Sequence, residues 1–123
     1  MELIGYYLRV GDVFREASTW SDLGKIISYD DASRAALRLS SFHQAYLLFK
    51  KGNHRMEEIG AYKDMADVHP NTGKLDLAEK ELLQVLDKYH KIGYKELQYT
   101  YDLLAVVYNK KQDQMTRPGK TIH

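Results

Sequence analysis

The chain has 123 residues, of which 44% are hydrophobic and 28% are charged, and its formal net charge is +1. This length allows one domain with its own hydrophobic core, and the near-zero charge excludes a general electrostatic attraction to nucleic acid or to an anionic membrane. The absence of cysteine excludes disulfides and thiolate chemistry, and it fits a reducing cytoplasm, where we expect the protein.

The first half of the chain predicts three helices separated by polar breaks. Apolar residues recur with a helical period over residues 2–17, although two glycines weaken the pattern. A short second helix is expected from Trp20 onward, and a long third helix over residues 30–51. Hydroxyl and carboxylate side chains suit helix starts, and glycine suits helix ends. The residues expected at these ends are Ser18 or Thr19, Asp30 or Asp31, and Gly52.

The second half predicts a helical hairpin followed by one more helix. Residues 55–69 have helical periodicity, which the sequence HPNTG at 69–73 interrupts, because proline cannot continue the hydrogen-bond ladder and glycine tolerates turn geometry. The next helix ends near Gly93, which suits a left-handed cap. Ala66 and Ala78 are expected where the two antiparallel helices touch. A last helix is expected over residues 96–111, with Leu97, Tyr101, Leu104, Ala105 and Tyr108 on its buried face.

These elements assign the chain to the all-α class, as antiparallel helix hairpins, because no alternating strand pattern exceeds about four residues. Residues 1–113 are predicted to form one helical domain and residues 114–123 a flexible tail, since the last stretch has no periodicity. The tail is basic, but we expect its charges to be solvated rather than bound to phosphate. No apolar run reaches the roughly 18 residues of a membrane span, and the first residues make a poor secretory signal, so no membrane partner is expected.

One spacing of large and small residues occurs more than once. A large residue is followed three positions later by another large residue, then directly by a small one, and three positions after that by a ring. The copies are Tyr62, Met65, Ala66 and His69; Tyr101, Leu104, Ala105 and Tyr108; and Tyr7, Val10, Gly11 and Phe14. The first copy continues through Gly73 into a second helix with Ala78 and Leu82. In this pattern the chain resembles the tetratricopeptide repeat family.

The resemblance implies a fragment of an α-solenoid built from stacked hairpins. The small residue lets two antiparallel helices approach closely, and hairpins stack because one hairpin cannot bury its own apolar face. The small residues of the predicted first helices are Gly11, Ala45, Ala66 and Ala105. Only the separation between the first two of them matches the family period of about 34 residues. Long, irregular repeats are typical of bacterial regulators that resemble this family, and the chain is expected to be a fragment of such an array.

The sequence contains no catalytic, metal-binding or cofactor-binding motif. Its five histidines form no HExxH pattern and no pair four residues apart on one helical face. His69 lies on a core position, so we expect it to be packed and hydrogen-bonded. Helix capping explains the adjacent Asp30 and Asp31. We therefore predict a protein that is not an enzyme and has no metal or cofactor.

Tyrosine is the dominant aromatic residue, with ten copies against three phenylalanines and one tryptophan. Tyr62, Tyr89, Tyr101 and Tyr108 fall on the predicted core faces. The resemblance places other side chains on the inner, concave wall of the solenoid, where aromatic rings beside Lys and Asn grip an extended peptide. That wall would carry Phe42, Tyr46, Phe49, Lys63, Asp67, Tyr99, Asp102 and Asn109. The residues predicted to bind a peptide are Tyr46, Lys63, Tyr99, Asp102 and Asn109, with Tyr99 and Asn109 contributing most.

The resemblance implies a scaffold that binds a protein or peptide, as part of a bacterial regulatory protein. Two alternatives stay open: a fragment of a peptide-sensing transcription regulator, or of a response-regulator phosphatase. The first would need a DNA-binding domain outside this chain, because no basic helix-turn-helix is evident here. The second would need a catalytic side chain that the sequence does not identify. Homo-oligomers are also expected, because Leu97, Leu104 and Tyr108 of the last predicted helix would have one open side.

Overall fold

The computed structural model describes residues 12–27 and 32–116. These residues form helices and turns and contain no strand, so the all-α prediction is confirmed. Short 3-10 turns at Ala32–Arg34 and His69–Thr72 precede the second and fourth helices. The helices are α1 (Val13–Ile26), α2 (Ala35–Lys51), α3 (Arg55–Val68), α4 (Leu75–Lys91) and α5 (Gln98–Thr116).

Helix α1 does not break where the sequence indicated. Its N-terminus is capped by Asp12, whose carboxylate accepts a hydrogen bond of 3.0 Å from the backbone N–H of Arg15. The helix then continues through Ser18 and Thr19, so the predicted cap at these residues is wrong. Thr19 instead donates its hydroxyl to the carbonyl of Arg15, at 2.8 Å, which satisfies the side chain inside the helix. The part of the predicted first helix before residue 12 lies outside the described residues.

Helix α2 starts later than predicted. It follows the 3-10 turn, and its N-cap residue Arg34 makes no side-chain capping bond. The predicted aspartate caps at 30 and 31 lie outside the described residues. The helix ends as predicted at Gly52, and the chain then turns through Asn53 with a φ of 60°. Asparagine is one of the few residues other than glycine that tolerates this left-handed conformation.

The turn between α3 and α4 confirms the predicted hairpin. Pro70 lies in the 3-10 turn, where its missing N–H costs no hydrogen bond, and its side chain is buried. Gly73 has a φ of 79°, a conformation that strains any residue with a β-carbon. The N–H of Lys74 closes the turn by donating to the carbonyl of His69 at 3.0 Å. This five-residue stretch therefore returns the chain alongside α3.

Consecutive helices pack against each other in chain order, from α1 against α2 to α4 against α5. Helices α1 and α3 each have 14 residues, and α2 and α4 each have 17, so two similar hairpins follow one another. Ala66 and Ala78 are both fully buried in one core cluster shared by α3, α4 and α5, as predicted. Leu82 is also fully buried there, a transfer from water that stabilises the fold by about 2 kcal/mol.

The buried face of α5 is not the predicted one. Thr100, Leu104 and Val107 face the core and are at most 5% exposed. Tyr101 and Tyr108 are 51% and 46% exposed, so their assignment to the core is wrong, as is that of the exposed Ala105. The reason is that α4 provides the main packing surface for α5, and this surface covers only one side of the helix. A face that would meet a following helix is left open.

Helix α5 extends to Thr116, and thus through the first residues of the predicted 114–123 tail; residues 117–123 lie outside the described part. An ion pair with α4 anchors this end, because the ammonium of Lys111 lies 2.8 Å from the carboxylate of Asp76 and 2.6 Å from that of Glu79. In the two described ranges, none of the helices combines the length and the apolar character that a membrane crossing requires.

Candidate functional site

A groove of about 450 Å³ opens between α1, α3 and α5. Alternate helices of the chain therefore line one surface, while α2 contributes a single residue to it and α4 none. We call this surface the groove. It is lined by Ser18, Ser21, Asp22 and Lys25 of α1; Phe49 of α2; Glu57, Gly60, Ala61, Lys63 and Asp64 of α3; and Tyr99 of α5.

Small side chains bring the walls of the groove together. Ala61 of α3 is 3% exposed and belongs to a core cluster with Ala17 of α1 and Ala45 of α2, both of which are fully buried. Phe49 belongs to the same cluster and supports the groove from α2. Alanines at the contact let the helices approach closely, so the polar residues that line the groove lie directly over a well-packed part of the core.

Lys63 and Tyr99 form the clearest contact across the groove. The ammonium of Lys63 lies 4.6 Å from the centre of the Tyr99 ring, and 6.0 Å from that of the buried Tyr89. Burial lowers the pKa of Lys63, although the neighbouring Asp64 raises it. A cation held over an aromatic face is attracted by the electrons of the ring, which positions both side chains. Tyr99 nevertheless remains 54% exposed, so part of its ring surface is open to solvent.

Two carboxylates of α3 lie close to this cation in a poorly solvated environment. Burial raises the pKa of Asp64, while Lys25 and Lys63 lower it. Burial also raises the pKa of Asp67 to about 6, against an opposing effect of the Arg38 guanidinium. Desolvation penalises the charged form of a carboxyl group, so both shifts indicate low local polarity. The groove thus has lysines and carboxylates side by side on a semi-buried wall.

The five predicted peptide-binding residues do not lie on one surface. Lys63 and Tyr99 line the groove together. Tyr46 lies on α2, half-buried, with its ring 5.8 Å from that of Tyr62, and does not line the groove. Asp102 is exposed and accepts a hydrogen bond of 2.8 Å from the side chain of Gln98. Asn109 lines a separate cavity of about 470 Å³ between α5 and the turn before α4, with Pro70, Leu75, Val106, Lys110, Asp113 and Gln114.

Two phenylalanines predicted for the concave wall are buried core residues, of which Phe49 also reaches the groove. Phe42 is 3% exposed and packs with Ala35 and Val68, and Phe49 is 5% exposed. The sequence register had treated their helix as the first helix of a hairpin. In the structure α2 is the second helix of the α1–α2 pair, so its apolar face turns inward.

The sequence prediction missed the contribution of α1 to the groove. Ser18 or Thr19 was predicted to cap a short helix from Trp20 onward, and none of Ser18, Ser21, Asp22 and Lys25 was assigned to the binding wall. One signal was present in the sequence WSDLG at residues 20–24. It has the same aromatic, large and small spacing as the copies at 62 and 101, with Trp20, Leu23 and Gly24 at the three positions.

No group of three or more His, Cys, Asp or Glu side chains suited to a metal ion occurs in residues 12–27 and 32–116. The prediction that His69 is packed in the core is confirmed, because its side chain and that of Glu81 are largely buried. Nδ1 of His69 lies 2.6 Å from a carboxylate oxygen of Glu81. This pair joins the end of α3 to α4, and neither of its residues lines the groove. It therefore has a structural role.

Comparison of the chain with protein-family models, with curated proteins and with solved structures finds no match. The resemblance to tetratricopeptide repeats therefore stays a prediction from residue spacing. What the chain does has to be argued from its own groove, its exposed faces and its charges.

Proposed function

We propose that the chain is a tetratricopeptide-like module that binds a protein through an extended peptide segment held in the groove. The observation that carries the proposal is that α1, α3 and α5 line one open surface, to which α2 contributes only Phe49 and α4 no residue. In the tetratricopeptide family that the chain resembles, the first helix of each pair lines the concave side of the stack. The equal lengths of α1 and α3, and of α2 and α4, support this arrangement, because repeated hairpins should have matching helices.

The lining chemistry favours an extended peptide over a compact apolar ligand. Ser18 and Ser21 offer hydroxyls that both donate and accept hydrogen bonds, as a peptide backbone requires. Tyr99 offers a rigid amphipathic ring at low entropic cost. Charges of both signs are available, from Lys25 and Lys63 and from three carboxylates, so specificity would come from the placement of charge rather than from its net sign.

The groove is a binding surface rather than a catalytic centre in this proposal. Its two lysines interact electrostatically with the Asp64 carboxylate, and Tyr99 would stack against the ligand. The proposed setting is the cytoplasm, which a chain without cysteine suits. Self-association would use a different face of α5, which is described below.

Screening the full chain against an immobilised peptide library tests the proposal. In Tyr99→Ala, affinity for the peptides selected should fall by about tenfold, because loss of a central aromatic anchor costs more than about 1 kcal/mol. Tyr101→Ala is the matched control, since Tyr101 has the same side chain on the same helix and is 51% exposed against 54% for Tyr99, but does not line the groove. Affinities are measured for single selected peptides free in solution, so that a change in self-association adds no avidity effect. This control should bind like the wild type.

Two results would contradict the groove as the binding site. One is an equal loss of affinity in both tyrosine variants. The other is full binding by Tyr99→Ala together with loss of binding when the chain is ended after Thr116. The second result would place the binding element in the basic residues that follow α5, and that binding would weaken steeply with salt if the ligand were anionic.

A further inference from the structure

Three helices carry the same three-residue spacing. An aromatic residue is followed three positions later by leucine or methionine and four positions later by glycine or alanine. Residues three and four apart lie on one side of a helix, so each set forms a short stripe. The sets are Trp20, Leu23 and Gly24 in α1; Tyr62, Met65 and Ala66 in α3; and Tyr101, Leu104 and Ala105 in α5.

In α1 and α3, the small position of this stripe faces the next helix, as does the aromatic position of α3. A β-carbon added to Gly24 would lie 2.6 Å from the ring of Phe42, which belongs to α2. Tyr62 donates its hydroxyl to the side chain of Gln84 in α4. Ala66 shares a core cluster with Ala78 of α4, and both are fully buried. The small position therefore marks where the following helix comes closest.

In α5 the equivalent positions are exposed. Tyr101 is 51% exposed, Ala105 is exposed, and Tyr108, one turn further on, is 46% exposed. We call these three residues the open face. Leu104, the larger apolar residue of the set, is 5% exposed because it turns toward α4. The open face is thus a surface shaped to accept a helix, with no helix on it in the described part of the chain.

We propose that the open face binds the open face of a second copy of this chain, with the two α5 helices antiparallel and a two-fold axis at Ala105. The α3–α4 hairpin shows a small residue packed with a small residue at this position, and Ala105 supplies a small residue from each copy. The two tyrosines lie four residues before and three residues after it. A two-fold axis at Ala105 therefore places Tyr101 of each copy opposite Tyr108 of the other.

Charge favours a second copy over a charged partner. None of the three residues of the open face carries a charge, so two copies meet without repulsion between like charges at the centre. Tyrosine is also enriched at the centres of protein interfaces, because its ring buries a large area while its hydroxyl stays hydrogen-bonded. This inference does not rest on the groove, because Tyr101, Ala105 and Tyr108 do not line it.

The absence of cysteine allows a direct test of the axis. Ala105→Cys in the full chain should form a disulfide-linked dimer under mild oxidation, because residues on a two-fold axis bring their own copies within disulfide reach. Val106→Cys is the matched control: it is the next residue of α5, is 42% exposed, and points to a neighbouring face. It should give little dimer. Equal cross-linking of the two variants, or none in Ala105→Cys, would overturn the proposal.

A second variant tests the interface without oxidation. Sedimentation should show a concentration-dependent dimer for the wild type in the micromolar range, and Ala105→Glu should weaken dimerisation by about tenfold or more, since it sets two carboxylates against each other on the axis. Ala105 is exposed, so helix content should be unchanged. A wild type that stays monomeric, or a variant that dimerises as well as the wild type, would refute the interface.

The two proposals can fail separately. Ala105→Glu should bind the peptides selected by the groove like the wild type, and Tyr99→Ala should dimerise like the wild type.

Discussion

The backbone of Gly24 in α1 lies against the ring of Phe42 in α2, so closely that a β-carbon on the glycine would stand 2.6 Å from the ring edge. Phe42 is 3% exposed and has little room to move. We expect Gly24→Ala to lower the free energy of unfolding by about 1–2 kcal/mol, because overpacking outweighs the gain in helix propensity. Urea denaturation followed by circular dichroism measures this change.

Gly60 provides the matched control for this substitution. It also lies inside a helix, but a β-carbon there would meet only the hydroxyl of Tyr89, at 4.0 Å, which is an ordinary contact. Gly60→Ala should therefore raise the free energy of unfolding by about 0.5–1 kcal/mol, since alanine loses less backbone entropy than glycine on folding. Stabilisation by both substitutions would mean that α1 and α2 are further apart at Gly24 than the structure shows.

The buried pair of His69 and Glu81 should matter more to stability than an exposed ion pair. Nδ1 of His69 lies 2.6 Å from a carboxylate oxygen of Glu81, and among the described residues neither of these two buried atoms makes a hydrogen bond of standard geometry, so this close contact is the polar interaction that each of them has. Glu81→Ala would leave a buried imidazole nitrogen unpaired. We expect it to lower the free energy of unfolding by about 1–3 kcal/mol in urea denaturation.

Asp87→Ala, on the same helix, is the control for this prediction. The Asp87 carboxylate lies 3.0 Å from the ammonium of Lys91, but both side chains are at least 60% exposed. Such a pair contributes at most about 0.5 kcal/mol. If the two alanine variants lost equal stability, the contact between His69 and Glu81 would not contribute to the fold.

The sequence was sufficient to predict the central hairpin. Pro70 and Gly73 restrict the backbone so strongly that only a turn fits them, and Ala66 and Ala78 mark the helix contact through side-chain size alone. These are local properties, so they could be predicted without knowing what surrounds the hairpin. The resemblance to tetratricopeptide repeats placed Lys63 and Tyr99, which the structure brings together, on one predicted wall.

The sequence was not sufficient where burial depends on a neighbouring helix. Tyr101 and Tyr108 have the spacing of core residues, but α4 covers the other side of α5 and leaves them exposed. Likewise, Ser18 and Thr19 are good capping residues that lie inside α1, because the contacts of α1 with α2 outweigh a weak local preference. Periodicity shows that a helix has an apolar face, but it does not show which neighbouring helix covers that face.

The carboxyl group of Asp67 should make stability depend on pH. Burial raises its folded-state pKa to about 6 from an ordinary value of 3.8, so the folded state holds this proton more tightly than the unfolded chain. Stability from this group is then fully present below about pH 4 and falls as the pH rises to about 6 and above. Asp67→Asn removes this titration. Relative to the wild type, the variant should gain about 1–2 kcal/mol between pH 4 and pH 7.

Urea denaturation at the two pH values checks this expectation. The direction of the change in unfolding free energy with pH is informative, because a carboxylate stabilised by an ion pair would make the protein more stable, not less, as the pH rises. Parallel behaviour of the variant and the wild type would show that the Asp67 side chain is well solvated. An NMR titration of the wild-type carboxyl group would give the same answer directly, as a midpoint near pH 6.

Lys111 ties the end of α5 to α4, and its loss should loosen that end without unfolding the domain. Its ammonium lies within 2.8 Å of carboxylates on Asp76 and Glu79, and hydrogen bonds to these two groups raise its pKa. Lys111→Met keeps most of the aliphatic stem but removes the charge. Amide hydrogen exchange in the last turns of α5 should therefore become faster, while exchange at Leu82 in the core stays unchanged.

The neighbouring Lys110 supplies the control for Lys111→Met, because it is exposed and forms no ion pair with α4 in the described part of the chain. Lys110→Met should leave exchange in α5 at the wild-type rate. High salt should narrow the difference between Lys111→Met and the wild type, since screening weakens ion pairs near the surface. Equal rates of amide exchange in the two methionine variants would show that the apolar packing of Leu104 and Val107 is enough to hold α5 in place. In that case the ion pairs of Lys111 would have no part in positioning the helix that carries Tyr99 and the open face.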